Sequence, residues 1–335
     1  MKLVLLGAGR IGQVHAANIA RHPQAELAAV VDVNQQAAQA LASKYKTRVV
    51  KHAQAAIADP DVAGVLVCSS TDTHVEMIEL AADQGKPVFC EKPIDLDLAK
   101  VDSCLTKVKQ ADIPLVIGFN RRFDPHFKAL KESLVGNNIG RLEVLKITSR
   151  DPEPPPPAYA KVSGGIYRDM TIHDLDMARY LLDEEPVEIF ATGSCLVDPE
   201  IGQAGDLDTV MLILKTASGK LCQIDNSRRA VYGYDQRIEA FGEKGMLLAG
   251  NPTPTTLQCF GQAAVSCDKP HFFFLERYRA AYRAELDHFI EVVAGIAEPL
   301  VSGNDGRMAL WLADAATRSH QAGRPISLEA DHESS

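Results

Sequence analysis

Short apolar runs alternate with stretches of helical periodicity over the first third of the chain. Lys2–Leu6 precedes Ile11–Arg21, Leu27–Asp32 precedes Gln35–Tyr45, Gly64–Cys68 precedes Thr73–Gln84, Pro87–Phe89 precedes Ala99–Gln110, and Leu115–Gly118 follows. This rhythm predicts a parallel sheet wrapped by helices. Gly64-Val65-Leu66-Val67-Cys68 has no polar face at all, as a strand covered on both sides requires.

The pattern changes after about Gly118. From Arg141 the chain offers longer strands with partial alternation: Arg141–Ser149, Val187–Ser194, Thr209–Lys215, Lys220–Asn226, Gln236–Phe241 and Met246–Ala249. These predict a mostly antiparallel sheet in a second domain. Pro152 and Pro154 to Pro157 form a stiff connection, neither helix nor central strand, which is either a plain linker or a loop bordering the site. Arg279–Ala294 and Arg307–Ala316 carry helical spacing, and Asp331–Ser335 reads as a frayed end. No internal repeat is present.

Composition narrows the possibilities. With 335 residues, 46% of them hydrophobic and 24% charged, the chain is long enough for two cores. A net charge of -9 with no basic stripe argues against nucleic acid as a partner. The apolar run Met1–Leu6 stops at Gly7, too soon for a signal peptide or a membrane span, so no membrane association is expected. Seven scattered cysteines without a Cys-x-x-Cys pair fit a reducing, cytoplasmic setting, and no metal-ligand spacing is present, so no metal is expected.

Gly7-Ala8-Gly9-Arg10-Ile11-Gly12 follows a strand and opens a helix, the context in which a Gly-x-Gly-x-x-Gly run signifies a dinucleotide. Gly7 permits the turn, Gly9 permits a pyrophosphate to approach, and Gly12 permits helix and strand to pack. Asp32 stands twenty positions beyond Gly12 at the end of the second strand, where a carboxylate accepts from ribose hydroxyls and repels a 2′-phosphate. NAD is therefore expected over NADP. On residue type alone, Asp32 would also serve as a cap for the helix from Gln35.

Two further groups carry chemistry. Glu91-Lys92-Pro93 lies just after a strand, at the carboxyl end of the sheet, although Lys92 by itself would more often be a solvated surface charge. Asp169 and His173 are four apart, so on a helix the carboxylate could orient the imidazole. A histidine of ordinary pKa, roughly 6.5, is suited to accept a hydroxyl proton. The same pair could merely cap and solvate a helix start.

Together the glycine motif, Glu91-Lys92-Pro93 and the Asp169 to His173 segment resemble the glucose-fructose oxidoreductase, inositol dehydrogenase and rhizopine-catabolism (Gfo/Idh/MocA) family. Gly118–Asp124, Ser149–Pro152 and the run Asp225–Arg237 strengthen that resemblance, which covers nearly the whole chain. It implies an α/β fold: an N-terminal Rossmann dinucleotide-binding domain, residues 1–119, and a C-terminal α/β domain, residues 120–335, with a large open-faced sheet. It also implies NAD-dependent oxidation of a ring hydroxyl of a cyclitol or sugar, with myo-inositol leading and scyllo-inositol, chiro-inositol or a pyranose as alternatives. An NAD-assisted glycosidase and a non-catalytic sensor are the more distant readings.

By the same resemblance Lys92 would hydrogen-bond the reacting oxygen, His173 would take its proton, and Asp169 would hold and polarise that machinery. The expected cofactor set is Gly7, Gly9, Arg10, Ile11, Gly12, Asp32, Ser70, Thr71, His74, Glu91 and Lys92. Arg121, Arg150 and Tyr232 are the expected substrate contacts, with an interdomain ion pair for Arg121 and strand-end packing for Tyr232 as their plain alternatives. Assembly as a homotetramer through the sheet is also implied.

Overall fold

The computed structural model describes residues 1–328, so the expected frayed end Asp331–Ser335 lies outside the described residues. The chain forms two compact units: Met1–Phe123 with Ala281–Leu310, and Asp124–Ala280 with the chain from Trp311. The sequence assigned all of 120–335 to one domain, and the returning segment is the difference. Its physical reason is burial. Leu286, Phe289, Ile290 and Val292 share a core with Leu3, Leu5, Leu66 and Phe89. At Gly64 a Cβ would stand 3.2 Å from both Phe289 and Val293, so that glycine lets the helix Arg279–Val293 lie on the sheet.

The first unit holds β1 (Lys2–Leu6), β2 (Glu26–Val31), β3 (Arg48–Val49), β4 (Val62–Val67), β5 (Val88–Cys90) and β6 (Leu115–Ile117). Their order is β3-β2-β1-β4-β5-β6, parallel throughout. The order reverses between β1 and β4, and such a switch point is where open α/β sheets bind ligands at their carboxyl ends. The apolar runs of the sequence supply five of these strands. The sixth, β3, has two residues and no buried position, too little pattern to read.

The second unit holds β7 (Leu142–Arg150), β8 (Pro186–Ser194), β9 (Thr209–Thr216), β10 (Leu221–Ser227), β11 (Asp235–Gly242), β12 (Gly245–Ala249), the hairpin β13 (Gln258–Phe260) with β14 (Val265–Cys267), and β15 (Ile326–Ser327). Seven strands form one sheet in the order β12-β11-β7-β10-β9-β8-β15, with β7 and β10 the parallel pair. The pleat sorts side chains cleanly. Leu145, Ile147, Ser149, Cys222, Ile224, Asn226, Val210, Leu212 and Leu214 are buried on one face. Met211, Ile213, Leu221, Phe241, Met246 and Leu248 alternate with them or pair alongside, and each is more than 40% exposed.

Two local features depart from the expected pattern. Pro152 to Pro156 are irregular, but Pro157 opens a short helix, Pro157–Ala160, at the position where its missing N–H costs nothing. The helix Pro125–Val135 was not anticipated, though Asp124-Pro125 is its signal: Asp124 Oδ1 accepts from His126 N and Phe127 N. Asp124 also pairs with Arg277, both side chains 1% exposed. Replacing Asp124 by Ala removes a cap and strands a buried guanidinium. We expect it to destabilise the protein by about 3–5 kcal/mol, read from the denaturant midpoint at unchanged slope.

Candidate active site

In the first unit the glycine turn is fixed by contact. Gly7 has φ +106°, and a Cβ there would lie 2.3 Å from the Cys68 carbonyl oxygen. A Cβ on Gly12 would lie 2.1 Å from the Gly7 carbonyl oxygen. A Cβ on Gly9 would meet no protein atom within 4 Å, so the glycine there answers to no protein neighbour and keeps the backbone accessible. Gly9 is also the N-cap of helix Arg10–Ile19 and supplies no side-chain cap. The first N–H groups of that helix are the donors that phosphates use. These features fit a dinucleotide pyrophosphate.

Asp32 completes the turn. Its Oδ2 accepts from Ala8 N at 2.6 Å and its Oδ1 from Asn34 N at 2.7 Å. The cap of the following helix is Asn34, which accepts from Gln36 N and Ala37 N, so the alternative of Asp32 as that cap is set aside. Each carboxylate oxygen keeps a lone pair for a further donor such as a ribose hydroxyl.

Glu91 and Lys92 follow β5 directly. His74, expected at the cofactor, is 2% exposed, with Nδ1 2.8 Å from the Pro93 carbonyl and Nε2 3.1 Å from the Ser69 carbonyl. It fastens the turn that carries Lys92. Ser70 caps a short 3-10 turn, Thr71–Thr73, at the carboxyl end of β4. Arg121 is 4% exposed within the 3-10 turn Asn120–Phe123.

In the second unit Asp169 lies in a π-helical turn, Tyr167–Thr171, that runs into helix Ile172–Leu182 with the half-buried His173 as its second residue. Such turns recur at functional sites because they re-aim side chains. Asp169 accepts from Tyr159 Oη at 3.0 Å and from both terminal nitrogens of Arg228 at 3.1 and 3.2 Å. Arg228 is 2% exposed and also faces Asp206 at 3.7 Å. Two residues earlier Asn226 accepts from Thr171 Oγ1 at 2.6 Å and donates to Asp174 Oδ2 at 2.8 Å. The end of β10 therefore grips the π-helical turn and the helix after it.

Tyr159, Asn226, Arg228 and Asp206 were not anticipated as site residues. Asn226 and Arg228 lie within the run Asp225–Arg237 that carried the resemblance, and their i, i+2 spacing on a strand was a usable signal. Arg150 and Tyr232 are a different matter. Arg150 pairs with Asp225, and Tyr232 donates to Asp235 at 2.6 Å. Arg150 alternates with the buried Ser149, and Asp225 with the buried Asn226, so this network lies on the open side of the sheet. The pleat separates it from the face that holds Thr171 and Asp174. The Asp225 carboxylate raises the Arg150 pKa, and burial followed by the bond to Asp235 raises that of Tyr232.

Comparison with known proteins agrees with this geometry. The chain is similar to the myo-inositol 2-dehydrogenase of Thermotoga maritima, at 50% identity over 330 residues, 98% of this chain and 99% of that one. A family model described as oxidoreductase family, NAD-binding Rossmann fold, matches residues 1–151, and a GFO/IDH/MocA C-terminal domain model matches residues 127–248. The chain belongs to the GFO/IDH/MocA family.

Its fold is similar to that of a putative myo-inositol dehydrogenase from Sinorhizobium meliloti 1021, with a TM-score of 0.95 at 49% identity, covering 98% of this chain and 99% of that one. It is also similar to the myo-inositol dehydrogenase of Lactobacillus casei in complex with NAD(H) and myo-inositol, with a TM-score of 0.88 at 27% identity, covering 98% and 96%. As a GFO/IDH/MocA oxidoreductase with this nucleotide loop, the protein is an NAD-dependent dehydrogenase.

Replacing Asp32 by Ser removes the carboxylate that would repel a 2′-phosphate. We expect the ratio of kcat/KM for NAD over NADP to fall by about tenfold or more, measured with both cofactors. Arg228→Met removes the cation that Asp169 and Asp206 both face, and we expect a loss of about 3 kcal/mol in chemical denaturation. Arg228→Lys should recover only part of it, because an ammonium cannot reproduce the two-nitrogen fork.

Proposed function

We propose that the protein oxidises a ring hydroxyl of myo-inositol to the ketone, giving 2-keto-myo-inositol, with NAD as the acceptor. The substrate rests on the full-length similarity to a myo-inositol 2-dehydrogenase. The observation that carries the chemistry is His173, placed at a helix start just beyond an Asp169 whose carboxylate is fixed by Arg228 and Tyr159.

Gly7, Gly9, Arg10, Ile11 and Gly12 would hold the pyrophosphate, and Asp32 a ribose, with Ser70, Thr71, Glu91 and Lys92 completing the set. When bound, NAD supplies the hydride acceptor. Lys92 presents its ammonium to the reacting oxygen and stabilises the charge that develops there. His173 accepts the hydroxyl proton, and Asp169 stabilises the imidazolium that results. Arg121 remains the candidate for substrate recognition. Arg150 and Tyr232 are reassigned to the open sheet face.

That face supports the rest of the proposal. Met211, Ile213, Leu221, Phe241, Met246 and Leu248 form an exposed apolar surface of the kind that a second copy of the chain would cover, in a homotetramer assembled through the sheet. Seven free cysteines accord with a cytoplasmic location.

NADH formation followed at 340 nm with myo-, scyllo- and chiro-inositol, glucose and xylose tests the substrate, and activity greatest on another compound would displace myo-inositol. His173→Ala and Lys92→Ala should each lower kcat by about 10²- to 10⁴-fold while NADH still binds. Ile213→Glu with Phe241→Glu should reduce the mass measured by light scattering; an unaltered mass would move the interface elsewhere.

A further inference from the structure

One buried acid has no place in the chemistry above. Glu285, on helix Arg279–Val293, is fully buried, and neither carboxylate oxygen has a hydrogen-bond partner among the described residues. Its Oε1 lies 3.9 Å from His15 Nε2, and that same nitrogen is 2.7 Å from Oε1 of Glu91, the residue before Lys92. His15 is itself fully buried, three residues after Gly12 on the dinucleotide helix.

The surroundings are apolar. The His15 ring lies 4.9 Å from Phe89 and edge-on to Tyr282 at 6.0 Å, and Phe89 packs on Phe289 at 5.9 Å. The Cys68 thiol has its donor atom within 4.8 Å of those of His15 and Glu91, and burial raises its pKa, so it adds no charge. Among the described residues, the titratable groups set against Glu285 include the His15 imidazole, the Glu91 carboxylate and the neutral Cys68 thiol. An ionised Glu285 would be a second anion beside Glu91 with no donor of its own, at a cost that protonation removes. Burial, and then the Glu91 charge, raise the Glu285 pKa well above the ordinary carboxyl range.

We propose that His15 is a positioning residue for the Glu91-Lys92 segment, and that Glu285 stands behind it as a permanently protonated acid. His15 Nε2–H holds Oε1 of Glu91. Oε2 then faces Gly118, where a Cβ would stand 3.0 Å away, and the side chain keeps 12% exposure at the carboxyl edge of the sheet. Glu285 fills the space behind His15 without competing for its proton donor. The helix that begins at the nucleotide turn is in this way tied to the strand end that presents Lys92. The inference rests on Lys92 acting on the substrate oxygen.

The test uses the full-length protein with NAD and myo-inositol, and compares His15→Leu, His15→Gln, Glu285→Gln and Lys92→Ala. With the donor gone, His15→Leu should lower kcat by about tenfold or more while the NADH dissociation constant stays within about threefold. His15→Gln, which keeps an N–H donor, should restore most of that loss. Glu285→Gln matches a neutral acid in shape, so its kcat should follow the parent enzyme across neutral and alkaline pH. Its infrared spectrum at neutral pH should lack one protonated-carboxyl carbonyl band that the parent shows.

A parent spectrum without that band, or a Glu285→Gln enzyme whose pH profile departs from the parent's, would overturn the neutral acid. Normal turnover in His15→Leu, with Lys92→Ala inactive, would overturn the positioning role alone. Normal turnover in Lys92→Ala would overturn the lysine reading and this inference with it.

Discussion

The nucleotide half of the protein depends on one close contact. Gly12 sits so near the Gly7 carbonyl that a Cβ would lie 2.1 Å from its oxygen. That closeness lets helix Arg10–Ile19 start directly above the end of β1, with its free N–H groups aimed along the carboxyl edge of the sheet. Asp32 then locks the turn from the next strand by accepting the Ala8 N–H. Everything else at that edge is arranged around a loop that cannot move outward without breaking this bond. His15, three residues on, is carried inward by the same helix to meet Glu91. The glycine spacing therefore sets two things at once: where phosphates bind and which residue backs the Lys92 segment.

In the second unit the corresponding constraint is the pleat of the seven-stranded sheet. Because side chains alternate, neighbouring residues of one strand serve different purposes. Asn226 turns to the helical side and bridges Thr171 to Asp174, whereas Asp225 turns to the open side and pairs with Arg150. Arg228 continues the Asn226 side and reaches Asp169. A shift of one residue in the register of β10 would exchange these roles and leave Asp169 without its cation. The seven-residue pairing of β10 with β7 on one flank and β9 on the other holds that register.

The sequence was most legible where a pattern has a single physical reading. Apolar strands alternating with helices gave the parallel sheet, and the distance from Gly12 to Asp32 gave the nucleotide loop. The spacing of Asp169 and His173 predicted one helix face; His173 is in the helix, while Asp169 stands in the π-helical turn before it. Legibility failed where the cause was tertiary. Nothing in Ala281–Leu310 says that it belongs with the first core, since a helical stripe does not name the sheet it covers. Arg150 and Tyr232 looked like polar pocket residues because the run containing Tyr232 is rich in them, but composition cannot assign a face. His74 likewise stood close to the site in sequence and serves it from beneath, through the backbone of Pro93 and Ser69.

Buried acids show how the same fold treats one problem in three ways. Asp124 is balanced by Arg277 in a pair that is almost wholly enclosed, which fixes a helix start and leaves no net charge. Around Arg228, two carboxylates, Asp169 and Asp206, face one guanidinium. Glu285 has no hydrogen-bond donor among the described residues and only the His15 imidazole 3.9 Å away, so it must hold its own proton. Charge is thus cancelled at Asp124, shared around Arg228, and protonated away at Glu285, where it would only oppose folding.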